Sequence, residues 1–370
     1  MPPRKTVWPL EEHTIGKHIV LRSYLNAWLA ILGTRNERVL FIDGFSGPGE
    51  YEGGEDGSPI VALRALHEHT YRDKINAEII FAFIDSDQRR IDHLETKLAA
   101  YRDAHPKVKV ETECGVCAEV VNRVLDHVTK DGGQLAPAFV MLDPFGVSYT
   151  PMSLIARLLK NDKCEIYISF MWESINRFRG EEEFATPLDE LFGTDEWRQG
   201  MDLQSADRKA FFYELYEAQL RKAGAGQVTY FELFNENRHI YTIFFATKHR
   251  LGMDRMKSAI WTADPTGQFQ FRGRAIDRTQ TSLEIATEVD FEPLCLQIQE
   301  EFGGEKNVLS EDVVAWAQTD ATDFHSGHVK RALTKMESDG RIVVDKATRK
   351  QPNRRSFANG TAFEVKPLDD

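Results

Sequence analysis

The amino-acid sequence predicts a doubly wound α/β domain followed by a small domain of three helices and a β-hairpin. Three observations carry this expectation. Up to residue 170, short continuous apolar runs alternate with segments of helical periodicity. After residue 171 that rhythm stops. The charge, −12 over 370 residues, reverses locally near the C-terminal end. The length suits two or three domains. With 23 Phe, 10 Tyr and 6 Trp the chain needs a buried core, which excludes a disordered protein.

Residues 15–32 place Leu21, Tyr24, Leu25, Trp28, Leu29 and Leu32 three and four apart, and Gly33 follows. This is an amphipathic helix with a glycine past its end. Residues 39–42 are a continuous apolar run closed by Asp43-Gly44, as in a strand buried on both faces of a parallel sheet. A glycine-rich stretch leads to Ser58-Pro59, which reads as a helix cap and first-turn proline. Further strands are expected at 79–84, 108–110, 139–142 and 166–170. Helices are expected at 87–101, at 116–128 and, capped by Thr150-Pro151, through Leu159. This is the spacing of βαβ units. A helical insertion covers about 171–225, ending in an aromatic-rich helix at 206–222. Residues 228–234 and 240–246 are alternating strands separated by Asn235-Glu236-Asn237-Arg238, a hairpin signal. A helix around 253–261 closes this domain, set at 1–285. Five parallel strands finished by an antiparallel hairpin form the Rossmann-like order expected of class I methyltransferases.

Residues 291–370 form the second predicted domain, with helices near 291–302, 310–318 and 326–338 and strands at 341–345 and 361–365. Three helices and a hairpin make a winged helix-turn-helix pattern. Gly327 falls near the start of the third helix, where base-reading side chains sit. Between 328 and 356, nine Lys and Arg stand against three acids, a local excess of six positive charges. Lys346, Arg349, Lys350, Arg354 and Arg355 are the candidate phosphate contacts. The competing reading is a solvated basic loop. The net charge of −12 therefore locates a nucleic-acid surface instead of excluding one.

Four scattered cysteines exclude a disulfide framework and suit a reducing cytoplasm. Apolar runs fall far short of the roughly 20 residues of a membrane helix. The N-terminal segment lacks an apolar signal core. A soluble, cytoplasmic protein is expected. Cys114 and Cys117 form a CxxC without the second pair a structural zinc would need, and are expected to be two buried reduced thiols. No acidic cluster has metal-ligand spacing, so no metal is assigned and a nuclease lacks support.

Three strand ends carry candidate chemistry. The first is Phe41-Ile42-Asp43-Gly44-Phe45-Ser46-Gly47-Pro48-Gly49, where glycines let backbone approach a ligand at the carboxyl edge of the sheet. The glycine spacing is not a dinucleotide fingerprint, and the next helix starts too late to hold a pyrophosphate. An acidic turn suits the cationic S-adenosyl-L-methionine, which gives Asp43, Gly44, Gly47 and Gly49 as cofactor residues. The alternative is an ordinary tight turn. The second is Ile84-Asp85-Ser86-Asp87, where one carboxylate can accept from both ribose hydroxyls while the other caps a helix; Asp85 is favoured for the ligand. The third is Leu142-Asp143-Pro144-Phe145-Gly146. There a carboxylate (Asp143) and the Pro144 carbonyl can orient an amine's lone pair toward a methyl donor, and Phe145 can stack on a flipped base. Lys17 and His18, about one helical turn from His13, are candidates to line the mouth and meet substrate, or a solvated polar face.

These residues carry a family resemblance. Trp8…His13-Thr14…Lys17-His18…Tyr24-Leu25…Trp28, the Ile-Asp-Gly-Phe-Ser-Gly-Pro-Gly stretch, Gly57-Ser58-Pro59 and Leu142-Asp143-Pro144-Phe145-Gly146 resemble the three-Cys-motif partner protein family over roughly residues 7–265. The tail resembles the winged-helix domain attached to some members. The resemblance implies a class I methyltransferase-like fold and a radical-S-adenosylmethionine-like partner with a three-cysteine motif. The Lys17-His18 helix is also similar to the start of ribosomal RNA adenine-N6 methyltransferases, whose fourth-strand motif is Asp-Pro-Pro-Tyr. Asp-Pro-Phe-Gly is closer to the tRNA guanosine-N2 dimethyltransferases, which leaves adenine and guanine both open. Many class I enzymes hold the adenine amine with an acidic residue after the third strand, where this chain has Glu113-Cys114-Gly115-Val116-Cys117. The expected function is methyl transfer from S-adenosylmethionine to an exocyclic base amine of DNA or RNA. The alternative is a methyltransferase-like module that binds nucleic acid or the three-cysteine protein and transfers nothing.

Overall fold

The computed structural model describes residues 5–102, 106–130, 132–146, 150–235, 238–271, 289–351 and 356–368. They form two compact units. The first holds the described residues up to Gly252 with Gln270 and Phe271; the second runs from Met253 to Phe269 and from residue 289 onward. The division falls within a helix that sequence periodicity assigns whole to the first domain, earlier than the expected 285/291 boundary.

In chain order, the first unit contains α1 (Glu12–Leu32), β1 (Arg38–Asp43), α2 (Ser58–His67), β2 (Glu78–Asp85), α3 (Gln88–Arg102), β3 (Val108–Cys114) and α4 (Cys117–Thr129). β4 (Ala138–Leu142), α5 (Met152–Leu159), β5 (Cys164–Phe170), α6 (Trp172–Phe178), α7 (Ala185–Phe192) and α8 (Ser205–Lys222) follow. β6 (Gln227–Asn235), β7 (Arg238–Thr247), the start of α9 (Arg250–Ala263) and β8 (Gln270–Phe271) complete it. The sheet order is β3-β2-β1-β4-β5-β7-β6-β8. β1 to β5 are parallel, and β7 runs antiparallel to both β5 and β6. The expected five parallel strands and hairpin are present; hairpin residues 236 and 237 lie outside the described residues. The eighth strand, β8, was not expected, because two residues are too short to show a period.

Sequence periodicity explains most of this architecture. α1 buries residues 13, 14, 16, 17, 20, 21, 24, 25, 28 and 29, the stripe that three- and four-residue spacing produces. β4 is buried at every residue, as a continuous apolar run in the middle of a parallel sheet requires, and β5 is as fully buried although it carries Glu165 and Ser169. Two expected caps are corrected. The N-cap of α2 is Gly57, and Ser58 directs its hydroxyl to Asp43 instead. Pro151 occupies the N-cap of α5 with no side-chain capping bond, so Thr150 does not cap it. The strand order reverses between β1 and β4, so Asp43, Asp85 and Asp143 gather along one carboxyl edge at the switch point, where open α/β sheets bind ligands.

The second unit contains most of α9, α10 (Glu292–Phe302), β9 (Val308–Leu309), α11 (Ser310–Ala317), α12 (Ser326–Ser338), β10 (Ile342–Val344) and β11 (Ala362–Val365). Its strands form an antiparallel sheet in the order β10-β11-β9. The buried ammonium of Lys257, on α9, donates to the carbonyls of Ala317, Thr319, Thr322 and Phe324 at 2.6–2.9 Å. Asp254, also on α9, accepts from the Ser326 amide at 2.7 Å and its hydroxyl at 2.9 Å. Together they pin the turn between α11 and α12. Burial pulls Lys257 down to about 8 despite nearby acids. No helix among the described residues is long and apolar enough to cross a membrane.

Candidate functional site

The turn after β1 depends on glycine. Gly47 and Gly49 have φ of 63° and 83°, the left-handed region in which a Cβ is strained. The Gly44 amide donates to the Met141 carbonyl at 2.9 Å and the Ser46 amide to the Ile84 carbonyl at 2.8 Å, so the turn is tied to both neighbouring strands. Asp43 is fully buried. One carboxylate oxygen accepts from the Phe45 amide at 3.1 Å and the other from the Ser58 hydroxyl at 2.6 Å. Burial pushes its carboxyl up to about 6, although both hydrogen bonds pull the other way. Asp43 borders neither cavity of this site. Its hydrogen bonds shape the turn after β1. A Cβ on Gly44 would come within 2.4 Å of the Cys117 sulfur. Cys117 is accordingly buried, with its thiol pushed up by burial to about 12, whereas Cys114 is exposed, which corrects the expected pair of buried thiols.

Asp85 ends β2 and is also engaged. Its Oδ1 accepts from the Asp87 amide at 2.8 Å, and its Oδ2 accepts from the Gly47 amide at 3.1 Å. Arg90 Nη1 lies 3.5 Å from Oδ2, with both side chains 4% exposed. The Arg90 guanidinium also sits over the rings of Trp8 and Phe145, at 5.2 and 5.3 Å from their centroids. Asp87 pairs with exposed Arg89 at 2.6 Å and accepts from its amide, so it takes the helix-start role and Asp85 faces the cavity.

Asp143 follows β4. Lys17 of α1 donates to its Oδ2 and Ser169 of β5 donates to its Oδ1. Burial opposes ionisation of both Lys17 and Asp143. Each holds the other charged, so Asp143 lies below the ordinary carboxylate value and Lys17 above the ordinary lysine value. The Lys17 ammonium also lies 5.8 Å from the Tyr241 ring centroid. His18 does not line the cavity. It is half-buried beside Tyr51, and burial with nearby Lys17 pulls it to about 3, so its ring is neutral.

Two cavities meet at these residues. The larger, about 320 Å³, is bordered by Trp8, Lys17, Tyr51, Asp143, Pro144 and Tyr241 among others, and by the Gly47–Gly49 turn. The smaller, about 100 Å³, is bordered by Gly44, Asp85, Ser86, Arg90 and the Gly115–Cys117 segment. Phe45 and Phe145 border both. Sequence reasoning omitted Arg90, Tyr51 and Tyr241 as site groups, whereas Ser169, at the end of the fifth strand, is a candidate wall of the base pocket from sequence. Arg90 reads as one more cation of a charged helix, and only the fold turns it inward. Trp8 was noted for family resemblance alone. The signal available for Tyr51 was its place two residues beyond the glycine turn.

In the second unit, the basic positions separate. Lys346 and Lys350 are exposed. Arg349 is buried, paired with Glu337 at 2.6 Å and set against the Phe357 ring, so its charge is satisfied internally and it is not a surface cation. Arg354 and Arg355 lie outside the described residues. On α12, Gly327, Lys330 and Arg331 are exposed along one face, and neither cation has an ion pair among the described residues. No group of three or more metal-ligating side chains occurs among the described residues.

No protein-family model matches the sequence, and no curated protein does. Solved structures are similar in architecture. One is Trm1 from Pyrococcus horikoshii with S-adenosyl-L-methionine, at 10% identity and a TM-score of 0.40, covering 70% of this chain and 61% of its own. Another is a spermidine synthase in complex with a transition-state analogue, at 10% identity and a TM-score of 0.34, covering 64% and 62%. A third is an O-methyltransferase from Bacillus cereus, at 14% identity and a TM-score of 0.33, covering 61% and 80%. This chain thus spans less than two thirds of the first two.

Proposed function

We propose that the protein is an S-adenosylmethionine-dependent methyltransferase that modifies an exocyclic amine of a nucleic-acid base. The observation that carries this reading is the juxtaposition at the switch point. A cavity-facing carboxylate, Asp85, ends β2, and an ionised carboxylate with an adjacent ring, Asp143 and Phe145, follows β4. The groups present fit the cofactor: Asp85 can accept from ribose hydroxyls, and Gly44 and Gly47 border the two cavities beside it. Bound there, the cofactor supplies an electrophilic methyl group.

The chain's own residues would then do three things. Asp143 accepts from an N–H of the acceptor amine. Lys17 and Ser169 do not block this, because each carboxylate oxygen retains a further lone pair. The Pro144 carbonyl takes the second N–H, which fixes the lone pair's direction, and Phe145 stacks on the base. Asp143, held ionised, favours the cationic nitrogen that forms as the methyl arrives. Positioning of nitrogen against methyl then supplies most of the rate. The second unit is read as a winged helix-turn-helix that delivers nucleic acid through exposed Lys330, Arg331, Lys346 and Lys350. The family resemblance adds a three-cysteine radical-S-adenosylmethionine-like protein as a partner.

Calorimetry with S-adenosylmethionine, followed by labelled-methyl transfer to mixed DNA and RNA, tests the reading. Binding and transfer that Asp143→Ala abolishes are expected. Binding without transfer to any nucleic acid would favour the non-catalytic module.

A further inference from the structure

Arg90 borders the site and has no part in the chemistry above. Its guanidinium touches both halves: Asp85 at 3.5 Å on the cofactor side, and the Phe145 and Trp8 rings at 5.3 and 5.2 Å on the acceptor side. The two rings meet edge to face, with centroids 5.7 Å apart. Trp8 is fixed in turn by the turn after β1, because its carbonyl accepts from the Glu52 amide at 3.0 Å and its ring lies against Gly47.

The cavity sizes make this contact consequential. Ligand pockets run from about 300 to 1,000 Å³, and the cavity beside Asp85 holds about 100 Å³. A nucleoside enters there only if lining side chains move. Gly44 and Gly115 have no side chain, and Ser86, Val116 and Cys117 have short ones. Arg90, Phe45 and Phe145 are long; Phe45 and Phe145 also border the larger cavity, and Arg90 rests on the Phe145 ring. Ribose hydroxyls that donate to Asp85 compete for the oxygen Arg90 faces, and displacement of its planar guanidinium changes the face on which both rings rest.

We propose that Arg90 is a positioning residue that couples the two halves of the site, so that loading of the nucleoside beside Asp85 repositions Phe145 and Trp8 and opens the acceptor cavity. This rests on the cofactor reading given above. It makes binding ordered: cofactor first, acceptor base second. Lysine at this position keeps the charge but not the plane, so Arg90→Lys separates ion pairing from stacking.

The test uses the full chain labelled with 5-fluorotryptophan, with the Trp8 fluorine resonance assigned by Trp8→Phe and S-adenosylhomocysteine as the probe. In the wild type, the probe should shift the Trp8 resonance. In Arg90→Lys, it should bind within about fivefold of wild type by calorimetry, yet leave that resonance in place. Leu94→Met, one turn along the same helix, controls for packing and should respond as wild type. A Trp8 response in Arg90→Lys equal to wild type would overturn the proposal and leave the cofactor reading standing. Failure of the wild type to bind the probe would overturn both.

Discussion

Helix α1 spans two carboxylates at opposite ends of one sheet, one buried and one half-buried, and treats them differently. Near the start of β5, Glu165 accepts from the Tyr24 hydroxyl at 2.6 Å and the Thr247 hydroxyl at 3.0 Å. After β4, Asp143 meets Lys17, seven residues before Tyr24 on the same helix, and Ser169. Burial pushes Glu165 up, and neutral hydroxyls only partly oppose it. Burial pushes Asp143 the same way, but the Lys17 cation overrides it. Hydrogen-bond satisfaction alone therefore makes a structural carboxyl, while a facing charge keeps a carboxylate ionised beside a cavity.

The strongest way to break this comparison is the same isosteric change at both ends. Asp143→Asn should lower methyl transfer by about 100-fold or more, while Glu165→Gln stays within about twofold of wild type. Equal losses, measured as initial rates of labelled-methyl incorporation, would erase the distinction.

Removal of the cation comes next. Lys17→Met leaves the partly buried Asp143 without its partner and should cost about 2 kcal/mol at neutral pH, read from denaturant midpoints. The pH trend should also invert. In the wild type, the lowered carboxyl stabilises fully above 3.8, and that contribution is lost as pH falls through the folded value. Without Lys17 the carboxyl rises, so stability declines as pH increases above 3.8, and the acidic limb of the transfer rate moves upward. An unchanged limb would mean that Lys17 does not set the charge of Asp143.

A smaller effect is expected at the other end. Glu165 is raised above 4.5, so its contribution to stability is largest below 4.5 and declines as pH rises toward the folded value. Glu165→Gln keeps hydrogen bonds with Tyr24 and Thr247 and should flatten that decline. Urea midpoints at pH 5 and pH 8 would show it. A slope equal to that of the wild type would place the charge elsewhere.

The contrast between satisfied and unsatisfied charge recurs in the second unit, with the smallest effect. Lys330→Ala with Arg331→Ala should reduce the salt slope of nucleic-acid binding by about 2 and leave thermal stability alone. Arg349→Ala should do the reverse, because Arg349 is buried against Glu337. Titrations of fluorescent oligonucleotides at several salt concentrations separate the two.

Most of the sheet was legible in the residues. Continuous apolar runs at β1 and β4, closed by Asp43-Gly44 and Asp143-Pro144, mark parallel strands because both faces are covered. Residue type and local period also locate the three strand-end carboxylates. The partners of those carboxylates were not legible. Lys17 is 126 positions from Asp143, and Arg90 lies 55 before Phe145, separations over which no period or motif carries information. The same limit misassigned Ser58, read as a cap from its neighbour Pro59 and in fact a donor to Asp43.

The sequence by itself determined most of the strands and helices, though not the two-residue β8 and β9, and that acidic residues end β1 and β2 and follow β4, because burial on one or two faces imprints a period on the chain. Only the tertiary structure decided which carboxylate is ionised and faces a cavity, which cations are buried, and that Arg90 bridges the two halves of the site. Those outcomes depend on distance through space and on loss of water, and the chain encodes neither locally.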